Sequence, residues 1–459
     1  MERTLYRKLL DWKEAPDRQP LVLHGARQVG KTWLLKEFGR TQFESCVYVN
    51  CDREPFASTL FADYDLGRIL LAIEARKGVP VRPGRTLLVL DEIQEAPRGL
   101  GALKYFCEDM PQLHVAAAGS LLGITLHAGT SYPVGKVDEM TLRPLSFPEF
   151  LRGTGETGLA DAAESGDPAV LDSLRADLTE RLRRYFFVGG MPAPALAFAE
   201  GRGLEAVRSR QRAILSHYLQ DISKHAPERE APRIHQVWQS IVPQLSRESK
   251  RFVYGAVKPG GRAKEFELAI QWLVDAGIVH RVPRVTKPGL PLSFHEDFGA
   301  FKLYPLDVGL MGALANAPAG AILDGDAGFT EFKGAFAEAY ILAELLSGGE
   351  RSPFYFSSSD SEVEIDFLVQ RGAEVVPIEV KAGENLRSKS LRTFVERHAG
   401  LKGVRFSLSP HRDQGWMENI PLYAANAWAR DAAKRDFAAA SKKECLPSFR
   451  QSTTKEKQP

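Results

Sequence analysis

The run Gly25-Ala26-Arg27-Gln28-Val29-Gly30-Lys31-Thr32 sets two glycines five residues apart and follows the second with Lys and Thr. Glycines let the backbone wrap closely around a phosphate so that successive N–H groups point at the anion, and a helix starting there adds its positive end. In such a loop Lys31 reaches the β- and γ-phosphates of a nucleotide, and the Thr32 hydroxyl ligates Mg²⁺. Further on, four apolar residues of "TLLVLDE" lead into Asp91 and Glu92. Asp91 is placed to hold Mg²⁺ through water, and Glu92 to take a proton from a water attacking the γ-phosphate. The chemistry expected is MgATP binding and hydrolysis.

A second constellation lies near the other end: Glu338, Asp366, Glu379 and Lys381. Period-2 alternation in "EVEIDFLVQ" predicts Val363, Ile365 and Phe367 on one face of a strand and Glu362, Glu364 and Asp366 on the other. Glu379 and Lys381 are two apart and share a face of the next strand. One or two Mg²⁺ ions held by Asp366 and Glu379, with Glu338 completing the shell and Lys381 beside the scissile phosphate, would cleave a nucleic-acid backbone. Alternating charge on an exposed strand face is also ordinary, so a scaffold without chemistry is the competing reading.

The elements that must position these residues can be read around them. "PLVLHG", "CVYVN", "TLLVLDE" and "HVAAAGS" are short, β-branched or Leu-rich runs ending in polar or Gly residues, as buried parallel strands do. Between them "TWLLKEF" and "GALKYFCEDM" carry helical spacing, giving an α/β unit over residues 1–155. Residues 156–232 are rich in Ala, Leu, Arg and Glu and read as a helical lid, broken at "FVGGMPAPA". Over 233–322, two amphipathic helices followed by β-branched "IVHRVPRV" and "FKLYPLDVGLM" resemble a winged helix. A further α/β unit spans 323–430, and the polar stretch 431–459 reads as a disordered basic tail.

Length and charge set the frame. At roughly 100–200 residues per domain, 459 residues need about three domains. With 44% hydrophobic and 26% charged residues the chain is neither disordered nor fibrous as a whole. No apolar run is long enough for a bilayer and no secretory leader is evident, so a cytoplasmic location without membrane contact is expected. Cys46, Cys51, Cys107 and Cys445 have neither disulfide nor zinc spacing. Net charge is +2, so a nucleic-acid footprint must be local. Residues 247–287 hold nine Lys/Arg against four Asp/Glu, and Arg247, Lys250, Arg251, Lys258, Arg262 and Lys264 are the candidate DNA contacts.

The first 155 residues resemble an AAA-type ATPase of the branch that carries a C-terminal nuclease-like domain of unknown function. "AAAGS" is similar to that family's strand ending in Gly-Ser, which implies Ser120 as the polar sensor beside the γ-phosphate. "LRPLSFPEFL" resembles its Leu-x-Pro-Leu-Ser-Phe-x-Glu-Phe signature, "YFFVGGMPAPA" its Gly-Gly-x-Pro element, and "YLQDISK" its Asp-Ile pair, although Gly189, Gly190 and Asp221 can equally serve as a helix break and a local cap. A Gly-Arg usually precedes the signature. Here Lys136 stands instead, leaving Lys136 and Arg143 as arginine-finger candidates, and a finger in trans implies a homo-oligomer. Asp366 with Glu379-Val380-Lys381 resembles the PD-(D/E)xK nuclease core. The resemblance implies an ATPase acting on or regulated by DNA. The alternative is a slow nucleotide switch with an inactive nuclease-like scaffold.

Overall fold

In the computed structural model, residues 1–120, 122–127, 132–323, 330–349, 353–358, 362–384 and 387–431 are described. The expected tail and Cys445 therefore lie almost wholly outside the described residues.

The apolar runs form the first sheet: β1 (Leu21–His24), β2 (Ser45–Asn50), β3 (Thr86–Asp91), β4 (His114–Ala118) and β5 (Asp138–Thr141). All pairs are parallel, in the order β2-β3-β4-β1-β5, so the strands carrying the glycine loop and Asp91 flank β4. Every residue of β3 and β4 is buried, the pattern of strands covered by helices on both faces. One covering helix, Lys31–Gln42, starts at the end of the glycine loop and buries Leu34, Leu35 and Phe38.

Helices alone occupy the middle of the chain, among them Arg175–Val188, Pro192–Ala199, Leu204–His225 and Ala231–Leu245. At the junction between the first two, Gly190 has no room for a side chain, since a Cβ would stand 2.2 Å from the Leu145 carbonyl oxygen. Leu145 N–H donates to the Gly190 carbonyl at 2.6 Å, and Gly190 N–H donates to Asp307 at 2.6 Å. This element thus joins the Leu142–Leu151 stretch to residue 307, well beyond a simple helix break.

The second sheet has eight strands: β6 (Val279–Val285), β7 (Glu296–Pro305), β8 (Phe354–Ser357), β9 (Glu364–Arg371), β10 (Glu374–Val380), β11 (Gly403–Ser407), β12 (Arg412–Asp413) and β13 (Met417–Pro421). Its order is β12-β13-β11-β10-β9-β8-β6-β7. The expected wing is thus the edge of the C-terminal sheet: β6 pairs with β7 and also, in parallel, with β8 through Arg284–Tyr355 and Val285–Phe356. Strict alternation along β9 also fails. Its pairing with β8 shifts register between Phe354 and Phe356, and Phe367 and Val369 join one core cluster while Ile365 and Leu368 join the other. A β-bulge does this by adding a residue to one strand, which re-aims the side chains that follow.

Candidate functional site

The glycine loop bends between β1 and helix Lys31–Gln42. Gly25 takes φ 142°, and a Cβ there would stand 2.3 Å from the Leu142 carbonyl oxygen, so the loop lies tight against the chain leaving β5. Lys31 is 5% exposed, and its ammonium donates to the Gly25 and Ala26 carbonyls at 2.7 and 3.0 Å and to Ser120 Oγ at 3.2 Å. Burial lowers its pKa to about 8, against the pull of Glu92 and Asp91 and with help from Arg27. The Thr32 hydroxyl donates to Asp91 Oδ2 at 2.7 Å. A hydroxyl and a carboxylate at that separation are the hard oxygen donors Mg²⁺ takes beside nucleotide phosphates, so this pair fits the ion.

Glu92 follows in a left-handed backbone conformation, φ 50°, which is costly for a non-glycine residue and typical of functional turns. Its carboxylate accepts from Gln94 Nε2 at 2.7 Å, from Ser120 N–H at 3.1 Å and from Ser120 Oγ at 3.0 Å. Burial would raise its pKa, but these hydrogen bonds and nearby Lys31 hold it below the ordinary value, so the Glu92 carboxylate is ionised. The expected set Lys31, Thr32, Asp91, Glu92 and Ser120 is thus brought together. Asp221 is no local cap: it pairs with Arg27 across the loop, and Tyr218 OH donates to the Arg27 carbonyl at 3.1 Å.

The C-terminal constellation is brought together in two halves, Glu338 with Asp366 and Glu379 with Lys381. Glu338, on helix Thr330–Gly348, accepts from Tyr304 OH at 2.7 Å and from Lys250, with Lys302 Nζ at 3.9 Å. Burial would raise the Glu338 pKa, but the two lysines hold it below the ordinary range. Asp366 accepts from Val380 N–H at 2.8 Å, and burial together with Glu338 raises its carboxyl. Glu379 and Lys381, 2.9 Å apart, belong to the other side of the sheet, because Ile378 and Val380 occupy the face toward Glu338. Glu379 is directly opposite Arg405 in register, and Arg405 donates to Ser388 and Asn419. Among the described residues no three His, Cys, Asp or Glu gather as a metal-holding group. The expected metal set Glu338, Asp366 and Glu379 is corrected accordingly: a sheet divides it, and lysine ammoniums supply the counter-charge.

The comparisons agree with the N-terminal geometry. Residues 17–151 match the family model described as "AAA domain". The N-terminal unit is an AAA-type P-loop domain. Residues 179–320 and 333–423 match two families described only as domains of unknown function, DUF8612 and DUF4143. No curated protein matches the chain in sequence. Similar solved structures include the Walker-type ATPase paby2304 of Pyrococcus abyssi, 14% identical over 68% of this chain and 94% of that one, with TM-score 0.43. A substituted RuvB of Thermotoga maritima is 15% identical over 62% of this chain and 90% of that one, with TM-score 0.28.

Neither arginine-finger candidate joins the charged groups around Lys31 of the AAA-type domain. Lys136 precedes β5, at the amino end of the sheet, and pairs with Glu108 at 3.0 Å. Arg143 leaves the carboxyl end of β5 and lies beside His280. Of the basic candidates, Lys250 is corrected outright, being engaged with buried Glu338; Lys258 pairs with Glu265 at 3.4 Å and Arg251 donates to the Gly299 carbonyl. Arg247, Arg262 and Lys264 are exposed. Among the described residues no helix is long and apolar enough to cross a membrane.

Three positioning residues escaped the sequence reading. Tyr48 OH donates to Asp91 Oδ2 at 2.8 Å, and Gln94 holds Glu92. Lys302 pairs with Glu364 at 2.6 Å, and a lone lysine inside apolar "AFKLYPL" is a signal that a buried acid must meet it.

Proposed function

We propose that the chain is an ATP-binding, slowly hydrolysing AAA-type switch whose nucleotide state is passed to a C-terminal unit that serves as a scaffold. The observation that carries this is the single hydrogen-bonded set Lys31–Ser120–Glu92 with Thr32–Asp91. Lys31 takes the β- and γ-phosphates, and Thr32 with Asp91 holds the metal. Bound Mg²⁺ would neutralise charge on the phosphate oxygens. Ionised Glu92 accepts the proton of the attacking water once its hydrogen bonds to Gln94 and Ser120 yield to that water.

Slow turnover follows from the two tethers on Glu92 and from the engagement of Lys136 with Glu108. The scaffold reading rests on the lysine-filled C-terminal cluster. Steady-state hydrolysis measured with and without DNA, across protein concentrations, tests the proposal. Slow turnover lost in Lys31→Ala and indifferent to DNA is expected. Strong stimulation by DNA would favour a DNA-acting motor using Arg247, Arg262 and Lys264, and a steep rise with concentration would favour a finger in trans. Parental hydrolysis in Lys31→Ala would overturn the site.

A further inference from the structure

A cavity of about 470 Å³ lies between the carboxyl ends of β1, β4 and β5 on one side and β6, β8 and helix Thr330–Gly348 on the other. Much of its wall is apolar, with Leu122, Val279, Leu342 and Phe354 contributing. Arg143 and His280 face into it. The Arg143 guanidinium makes no hydrogen bond or ion pair among the described residues, and burial alone lowers its pKa. Burial, and then the Arg143 charge, hold His280 neutral, so its ring offers one N–H. The Arg143 guanidinium is only part-buried and faces the cavity without a protein acceptor among the described residues, so a carboxylate entering the cavity meets a free charged donor fork. The volume falls within the range of small-molecule pockets, which are mostly apolar with few polar groups that fix orientation.

We propose that this cavity binds a small amphiphilic carboxylate, its charged end on Arg143 and His280 and its apolar body along Leu342 and Phe354. Gly25 and Ser120 form part of the same wall, so the ligand and the nucleotide influence each other reciprocally. That coupling rests on the proposed nucleotide site, whereas the cavity itself does not.

Calorimetric titration of octanoate into the full chain saturated with MgADP tests the site, with octan-1-ol as the uncharged control. One saturable octanoate site is expected, weakened at least tenfold by Arg143→Leu and by the cavity-filling Leu342→Trp, with MgADP affinity kept in both and no saturable octanol binding. Absence of octanoate binding, or equal binding to both variants, overturns the proposal. Loss of MgADP binding in Arg143→Leu overturns it too, because Arg143 would then belong to the nucleotide site. If the parent chain bound no MgADP, the nucleotide reading would fail, and the octanoate titration without nucleotide would still decide the cavity.

Discussion

Glu344 lies on helix Thr330–Gly348, fully buried, and accepts from Phe147 N–H at 2.8 Å, so a C-terminal carboxyl reaches the first turn of helix Phe147–Gly153. Its other oxygen, Oε2, has no partner among the described residues. Burial raises its pKa from 4.5 to about 8, with Glu149 and Glu164 adding to the rise and Phe147 and Asn426 opposing it. The folded protein therefore keeps this proton up to about pH 8, whereas the unfolded chain releases it near 4.5. Between those limits folding takes up a proton, and stability falls as pH rises. Each pH unit inside the window costs about 1.4 kcal/mol, so the loss at pH 7 is about 3 kcal/mol, and it is levelling off at about 4 kcal/mol by pH 8, where the folded carboxyl itself begins to ionise. Glu344→Gln copies the neutral acid in shape, keeps an acceptor for Phe147 and has no proton to lose. The variant should match the parent near pH 4.5 and exceed it by a margin that widens to about 3 kcal/mol at pH 7. Urea unfolding of both proteins at pH 5, 6, 7 and 8 measures that margin. A margin that stays flat with pH, or a variant less stable than the parent at pH 7, would refute the reasoning.

Three further outcomes are expected. Tyr48→Phe removes a donor to the oxygen of Asp91 that also receives Thr32, so the Mg²⁺ concentration needed for half-maximal hydrolysis should rise about tenfold; an unchanged Mg²⁺ requirement would show that Tyr48 does not position Asp91. Lys250→Ala leaves Glu338 with Lys302 and Tyr304 alone and should cost about 3–5 kcal/mol in urea unfolding. Adding Glu338→Gln should recover most of that loss, and no recovery would mean that Lys250 acts by packing. Arg27 is about half exposed, so Asp221→Asn should cost less than ~1 kcal/mol of stability. If loop closure matters, it should still weaken ATP binding, and an unchanged ATP affinity would assign the pair no part in the site.

The nucleotide site was legible because its chemistry is local: loop, helix start and strand end are each written in consecutive residues, and parallel pairing of β1, β3 and β4 does the rest. The C-terminal site was misread because strand alternation was extrapolated through a bulge, and because the lysines that meet Glu338 come from residues 250 and 302, far away in the chain. One local signal was present and unused. Ser146 and Glu149 have capping-box spacing, and the structure shows both reciprocal hydrogen bonds, Ser146 N–H to Glu149 at 3.0 Å and Glu149 N–H to Ser146 at 3.4 Å.

That capping box explains more than a helix start. The stretch Leu142–Leu151 touches every unit: the Leu142 carbonyl packs on Gly25, Leu145 bonds to Gly190, Phe147 bonds to Glu344, and Glu149 pairs with Arg3 at 3.3 Å. Arg3 in turn donates to the Val29 carbonyl of the P-loop at 3.0 Å and to the Arg143 carbonyl. A shift of the P-loop on nucleotide exchange must therefore move this stretch or break one of these bonds, and the stretch cannot move without pulling on Glu344 and Gly190. Close packing makes such a segment a carrier of displacement, since neighbours on all sides leave it no slack. In the proposed switch this stretch carries the nucleotide state to the C-terminal unit, where Lys302 fastens β7 to β9 and Lys250 fastens its own segment to helix Thr330–Gly348, as suits a part that moves as one body.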